Sequence, residues 1–476
     1  MRETLLVTAG IALAITVGCA AVAVGGRAAG APPSQAPPGI VVVLRDLSPP
    51  SQRVRFQASR AVARREDGAT VELRVVPPRR SADETSDEVL WLEGDAPPAV
   101  YTGIDVYFLS ATRSGSDRAE SLEVPAEPTR VDSSFVVSPG TGTVLAVILR
   151  SALTLDAPGR FMPVLEGRPR PRPTTGLLGL ASVGGWDSVA LFDKRTGDLA
   201  ALLHVGRDPA GLALDIERVR AYVAVSGDDE VVALDLLEGR IRERVALRAG
   251  DRPRDLVLTP DGRTLVVANP GSDTVSFVDT LSAIEVERVP VTGHPASLLM
   301  DRDGRRVFVL SERSSTIVVL SVSSRSAVGA IAVDSGPVRA RLAGRNGERM
   351  IVAHAESPYL SVVDSRTLIV EQRVYVGPGA RALEVDPRSG RVYVARARTG
   401  RIEVFDFSSL LPVAEIPVPG EVTWLSVEAD GNGMGVLLRD PAEARIVGLV
   451  GGGTVLRTPL GSNPSALRFV QGGTAP

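Results

Sequence analysis

The phrase VVANPGSDTVSFVD, residues 266–279, consists of a β-rich run, a turn built from Asn-Pro-Gly-Ser-Asp, and a second β-rich run ending on Asp279. Versions of it recur along most of the chain: YVAVSGDDEVVALD precedes it, and VFVLSERSSTIVVLS, IVAHAESPYLSVVD and VYVARARTGRIEVFD follow. The residues closing the second run are Asp193, Asp235, Asp279, Ser321, Asp364, Asp406 and Val450, so neighbours lie 42, 44, 42, 43, 42 and 44 residues apart. A second marker, where the chain enters the next unit, falls at Pro209, Pro253, Pro295, Pro337, Ala380, Glu421 and Pro464, with spacings of 44, 42, 42, 43, 41 and 43. A repeat of roughly 40 to 45 residues made only of strands and turns predicts an all-β chain whose units are four-stranded blades of a β-propeller.

One unit shows the four strands. ASLLMD (296–301) is the inner strand, VFVL (307–310) and TIVVLS (316–321) are the middle strands, and AVGAIAV (327–333) is the outer one. The inner runs are the more continuously apolar, as expected when both faces are packed between neighbouring blades. The chain ends predict how the ring closes. The first unit has LGLASVG, SVALFD and LAALLHV but no inner strand before them, and PSALRFV (464–470) is an inner strand with nothing after it. Together they make one composite blade, which with six complete repeats gives seven blades over 178–472 and removes the exposed sheet edges.

The unit resembles the propeller repeat known by its Tyr-Val-Thr-Asn signature (YVTN-type). The match runs from Pro260-Asp261-Gly262-Arg263 through LVVANPGSDTVSFVD (265–279), whereas VYVARARTG (392–400) keeps Tyr-Val-Ala but has Arg396 where Asn is usual. The resemblance covers about three fifths of the chain. It implies a fold and says little about activity, since such propellers serve as binding scaffolds, surface proteins and occasionally lactonases.

The amino terminus reads as an export segment. MRETLLVTAGIALAITVGCAAVAVGG opens with one Arg followed by an apolar run over 1–25. Three readings stay open. Thr16-Val17-Gly18-Cys19 is a lipobox that makes Cys19 the lipidated terminus, Leu5 to Val24 is an uncleaved anchor of the ~20 residues a spanning helix needs, or Ala21-Val22-Ala23 is a cleavage site. Each predicts a bacterial envelope location, periplasmic or surface-exposed. GRAAGAPPSQAPPG (26–39) is a tether of small residues and Pro, and EGRPRPRPTTG (166–176) a stiff Arg/Pro linker, set at 166–177. Between them, 40–165 carries seven strand-like segments and predicts a β-sandwich. The order VVVLRDLSPPSQRVRFQASRAVARREDGATVEL, APPAVYTGIDVYF, GRFMPVL, with Tyr101-Thr102-Gly103-Ile104, is similar to a domain family of unknown function in bacterial lipoproteins.

Composition narrows the chemistry. With Cys19 as the only cysteine there is no intrachain disulfide and no Cys-x-x-Cys metal or haem motif, and a formal net charge of −3 gives no nucleic-acid footprint. No Gly-x-Ser-x-Gly elbow, His-Glu-x-x-His, Walker loop or dinucleotide glycine pattern is present, so no catalytic residue, metal or cofactor is assigned. The three histidines are His204, peripheral in an outer strand, His294 in TGHP and His354 in AHAES. In a propeller the turn into each inner strand and the turn between the middle strands open on one face. His294 and His354 therefore fall at one mouth on adjacent blades, with Asp228, Asp229, Asp273, Glu312, Glu356, Arg396 and Trp186 in related turns. The recurrent Asp at the end of the second middle strand is turn chemistry, because its copies are spread around the ring.

The reading is a non-catalytic, membrane-tethered binding scaffold. Its mouth residues take an envelope protein, peptide or glycan, its membrane contact runs through the lipid or anchor, and nucleic acid is not a partner. The alternatives are a lactonase-like or metal-assisted hydrolase acting at the mouth and a structural surface-layer component.

Overall fold

The computed structural model describes residues 37–47, 54–77, 88–114, 119–149, 159–344, 346–428, 431–449, 451 and 453–470. The export segment with Cys19, and the tether up to residue 36, lie outside these residues. Among the described residues no helix is long and apolar enough to cross a membrane.

Six four-stranded antiparallel sheets follow one another along the chain, each with strands in sequence order, and they form a β-propeller. They span residues 209–246, 255–290, 295–332, 337–375, 380–417 and 422–459 and are called here the first to sixth blades. The second blade is typical. Its strands are Asp255–Leu258, Thr264–Asn269, Thr274–Asp279 and Ile284–Pro290, so the recurring phrase of the sequence is the middle hairpin. Along Thr264–Asn269 the side chains alternate between two cores. Leu265 and Val267 pack with the first blade, and Val266 and Ala268 with the third. Both faces are thus buried, which is why these strands read as apolar runs, while the outer strand Ile284–Pro290 is largely exposed.

The remaining strands of the ring belong to a larger sheet. The segments β10 (Leu178–Val183), β11 (Ser188–Asp193) and β12 (Leu199–His204) are joined by the C-terminal strand Pro464–Phe469, which pairs antiparallel with β10. Lys194 Nζ donates to the Val470 carbonyl at 3.1 Å, and Ser465 Oγ to the Pro209 carbonyl at 2.9 Å, fastening the chain end to its neighbours. One hydrophobic core holds these strands together with the first and sixth blades. The ring is therefore continuous. Pairing also aligns Val422, not Glu421, with Pro337 and Ala380 as the first residue of an inner strand.

In front of the ring lie β1 (Ile40–Asp46), β2 (Val54–Arg65), β3 (Thr70–Val75), β4 (Glu88–Gly94), β5 (Ala99–Ser114), β6 (Ala119–Leu122), β7 (Thr129–Val137), β8 (Thr141–Leu149) and β9 (Leu165–Pro169). Instead of two separate sheets, the pairing runs β9–β8–β1–β4–β3–β2–β5, with β6 and β7 both on β5. β3 pairs with both β2 and β4, so one hydrogen-bonded sheet surrounds a common core in which Phe56, Phe108 and Phe161 meet at centroid distances of 5.3 to 5.6 Å. The sheet then continues into the ring: β8 pairs antiparallel with β12 through Thr143 and Ala201. The unbroken apolar run of β1 has a physical reason here. Ile40, Val42 and Leu44 face the module's own core, whereas Val41 and Val43 face the core of the ring.

The Arg/Pro stretch joins this seam. Leu165–Pro169 is the strand β9, Arg170 pairs with Glu88 of β4 and, at 2.5 Å, with Asp198, and Arg172 donates to the carbonyls of Glu238 and Gly239 in the first blade. His204 is also at the seam, its Nε2 3.2 Å from the Pro38 carbonyl, and burial lowers its pKa.

Candidate functional site

The turn from middle to outer strand is built alike around the ring. Asp193, Asp235, Asp279 and Asp364 each accept from the backbone N–H groups two and three residues on, at 2.6 to 3.3 Å, and Asp406 and Ser321 accept from the group three on. Four residues past each, Gly197, Gly239, Ala283, Arg325, Leu368 and Leu410 take φ of 51° to 75°. The N–H groups of Ser282, Thr367 and Ser409 hold the carboxyls of Asp279, Asp364 and Asp406 below the usual range. Each of these carboxylates serves its own turn through its Oδ1.

Most of the expected mouth residues are engaged in the same way. Asp228 accepts from the Arg207 N–H and guanidinium, Asp229 from the N–H groups of Gly250 and Arg252, Asp273 from that of His294, and Glu356 from Ser335 Oγ, at 2.6 to 2.8 Å. Each clasps the loop that runs into an inner strand. Asp208, Arg252 and His294 in these loops are left-handed, so their turns fix the backbone at the mouth. Trp186 is buried, and its Nε1 donates to Glu93 of β4 at 2.7 Å. It belongs to the seam.

His354 and Arg396 occupy one repeated position. Asn269, Ser311, His354 and Arg396 succeed each other at 42, 43 and 42 residues, the Asn position of the repeat. Asn269 Nδ2 donates to Ser276 Oγ at 2.7 Å, His354 Nε2 meets Ser361 Oγ at 3.0 Å, and Arg396 pairs with Glu403, each partner lying seven residues on. His354 is wholly buried, and desolvation pushes its pKa down to about 4. The register of the repeat carried the signal for this role. Among the described residues no group of three or more His, Cys, Asp or Glu could hold a metal ion.

On the expected face a cavity of about 410 Å³ opens at the axis, and of the nine expected residues only Glu312 lines it. Its wall is instead the starts of the inner strands, among them Asp255, Arg339, Arg381 and Trp424, with Arg254 just before one of them and Asp208, Glu421 and Arg439 from the adjoining turns. The residues one step past the aligned strand start are Ala210, Arg254, Ala296, Val338, Arg381, Thr423 and Ser465, and those two steps past are Gly211, Asp255, Ser297, Arg339, Ala382, Trp424 and Ala466. These columns differ from blade to blade, in contrast to the Asp turns.

Trp424 is the centre of the arrangement. It is 4% exposed, and the guanidinium carbons of Arg339 and Arg468 lie 4.2 and 4.6 Å from its ring centroid. Its Nε1–H has no acceptor among the described residues, although a buried indole usually finds one. Arg339 reaches Ser297 Oγ at 3.2 Å and Asp255 at 3.5 Å, and Arg341 pairs with Glu384 at 2.9 Å. Desolvation pushes both Arg339 and Arg468 down to about 10, and neighbouring guanidinium charges add to the effect. Sequence reasoning missed these residues because they sit inside strands.

No family model matches the chain, and no curated protein matches it. Among solved structures, Kuenenia stuttgartiensis hydrazine synthase is similar with a TM-score of 0.50 and 18% identity, over 54% of this chain and 88% of that one. The dihydro-heme d1 dehydrogenase NirN in complex with DHE is similar with a TM-score of 0.49 and 15% identity, over 63% and 77%. At these identities the likeness to the first shows the propeller fold alone.

Proposed function

We propose that the chain is an exported, membrane-tethered binding protein whose ligand face is the axial mouth of the propeller. The observation that carries this reading is the buried indole N–H of Trp424 left without an acceptor at a cavity of about 410 Å³. The wall around it varies from blade to blade, as a recognition surface does on a repeated scaffold. In the same reading the strands β10–β12 and Pro464–Phe469 count as a seventh blade, the repeat is of the Tyr-Val-Thr-Asn type, 40–165 is an envelope sandwich-type module, and 166–177 connects it to the ring.

Two experiments test it. Peptide and glycan panels from envelope material are screened for binding by the purified chain and by Trp424→Ala; ligands captured equally by both would remove the mouth from the account. For the tether, cells are labelled with radioactive palmitate, and label lost on Cys19→Ser assigns the lipid anchor. A soluble, unlabelled protein that needs no Cys19 overturns the lipid reading.

A further inference from the structure

Resting on the reading of the axial mouth as a binding face, we infer that its ligand is anionic, a molecule that presents a carboxylate or phosphate to the arginines around Trp424. The charge count around Trp424 leads there. Among the described residues Arg339, Arg341 and Arg468 face two carboxylates, Asp255 and Glu384. Asp255 is heavily used already, accepting from the N–H groups of Leu256 and Leu298 and from Ser297 Oγ. Among the described residues Arg468 pairs with no carboxylate; its guanidinium donates to the Leu467 carbonyl and lies over the indole. Three cations against two anions leave one surplus positive charge in a poorly solvated place, where an opposite charge from outside is most strongly favoured.

The rim does not cancel that surplus. Arg254 pairs with Glu312 at 3.1 Å and Arg439 with Glu421 at 3.6 Å, and the third cation, Arg381, is matched in number by Asp208 but makes no ion pair among the described residues. Arg381 is exposed on the cavity wall, so its fork of donors is available to an oxyanion arriving from solvent. Trp424 supplies the independent observation, a nearly fully buried N–H donor with no acceptor at the same wall. Planar guanidinium groups plus one indole donor match the two-oxygen edge of a carboxylate or the oxygens of a phosphate.

The test uses the full-length chain and two probes, citrate and inorganic pyrophosphate, with ionic strength held constant by NaCl. Binding is read by tryptophan emission and by calorimetry. One probe should change the emission saturably, and the probe that saturates at the lower concentration identifies the carboxylate or the phosphate class. Arg381→Gln, at an exposed position where folding is not at stake, should weaken that probe by about 10-fold, the worth of one charge-assisted bond pair. Trp424→Phe, which keeps a ring under the guanidinium groups, should abolish the emission change and weaken calorimetric binding by about 5-fold. A linear response equal to that of NaCl, or saturation unaffected in Arg381→Gln, overturns the anion assignment. If both anions fail while a neutral glycan or peptide from the panel binds in a Trp424-dependent way, the anion assignment falls and the binding face stands. If Trp424→Ala changes the capture of nothing in the panel and both anions fail, the binding face falls with it.

Discussion

The outer turns and the axial mouth stand at different places on the same repeated strands, and they have opposite chemistry. At the turns, Asp279 and Asp364 accept from successive backbone N–H groups, and each recurring Asp serves its own turn. At the mouth, Gly211, Asp255, Arg339 and Trp424 hold corresponding positions, and Arg339 reaches Asp255, Ser297 and Trp424, each on a different blade. The difference teaches where to look in a repeat protein. Copies that agree hold each unit together, and copies that disagree build something shared.

Predictions follow from breaking one side of this contrast at a time. The largest loss should come from the packing that all blades share: Phe277→Ala, wholly buried between the second and third blades, should cost about 3 to 5 kcal/mol in denaturant unfolding. The mouth should be affected only through global unfolding.

The next effect depends on pH. His354 is neutral when folded, with its pKa pushed down to about 4 from a usual value of 6.5, so the unfolded chain binds the extra proton first. Stability therefore rises with pH across this window: the contribution is intact above 6.5 and is lost as pH falls towards 4, by up to about 3 kcal/mol. His354→Asn restores the Asn found at this position in the second blade, which already bonds a serine seven residues on. It should match the parent near pH 7 and lose less stability at pH 4. An unchanged acid slope would show that His354 is not the group responsible.

Asp279→Ala removes the acceptor of two backbone N–H groups and of Ser282 Oγ, and should cost about 1 kcal/mol by thermal or denaturant unfolding with the mouth intact. The smallest effect should be that of Arg381→Gln, exposed and without an ion pair, which should leave stability within about 0.5 kcal/mol while changing what the mouth binds. A large stability loss there would make Arg381 part of the scaffold and erase the contrast.

Much of the scaffold was legible because each blade is specified locally. The spacing of Asp193, Asp235 and Asp279 fixes the strand ends, and the turn needs only residues two to four positions along. His294, Asp228 and Asp273 were legible as mouth-face loop residues, but their partners, 21 residues away, make them loop clasps. Trp186 looked like a mouth aromatic because its position fits the blade pattern, and its partner Glu93 lies 93 residues away in another module.

The propeller, its repeat unit, the turn chemistry and the two strand segments that close the ring could be read from the residues alone, because they follow from period and short-range hydrogen bonding. Only the tertiary structure decided the seam and the mouth. The β8–β12 pairing that fuses the module to the ring, and the meeting of Asp255, Arg339, Trp424 and Arg468, bring together residues from 44 to more than 80 positions apart. Such residues carry no mutual pattern along the chain, because what they share is proximity to one axis, and that axis exists only after the ring has closed.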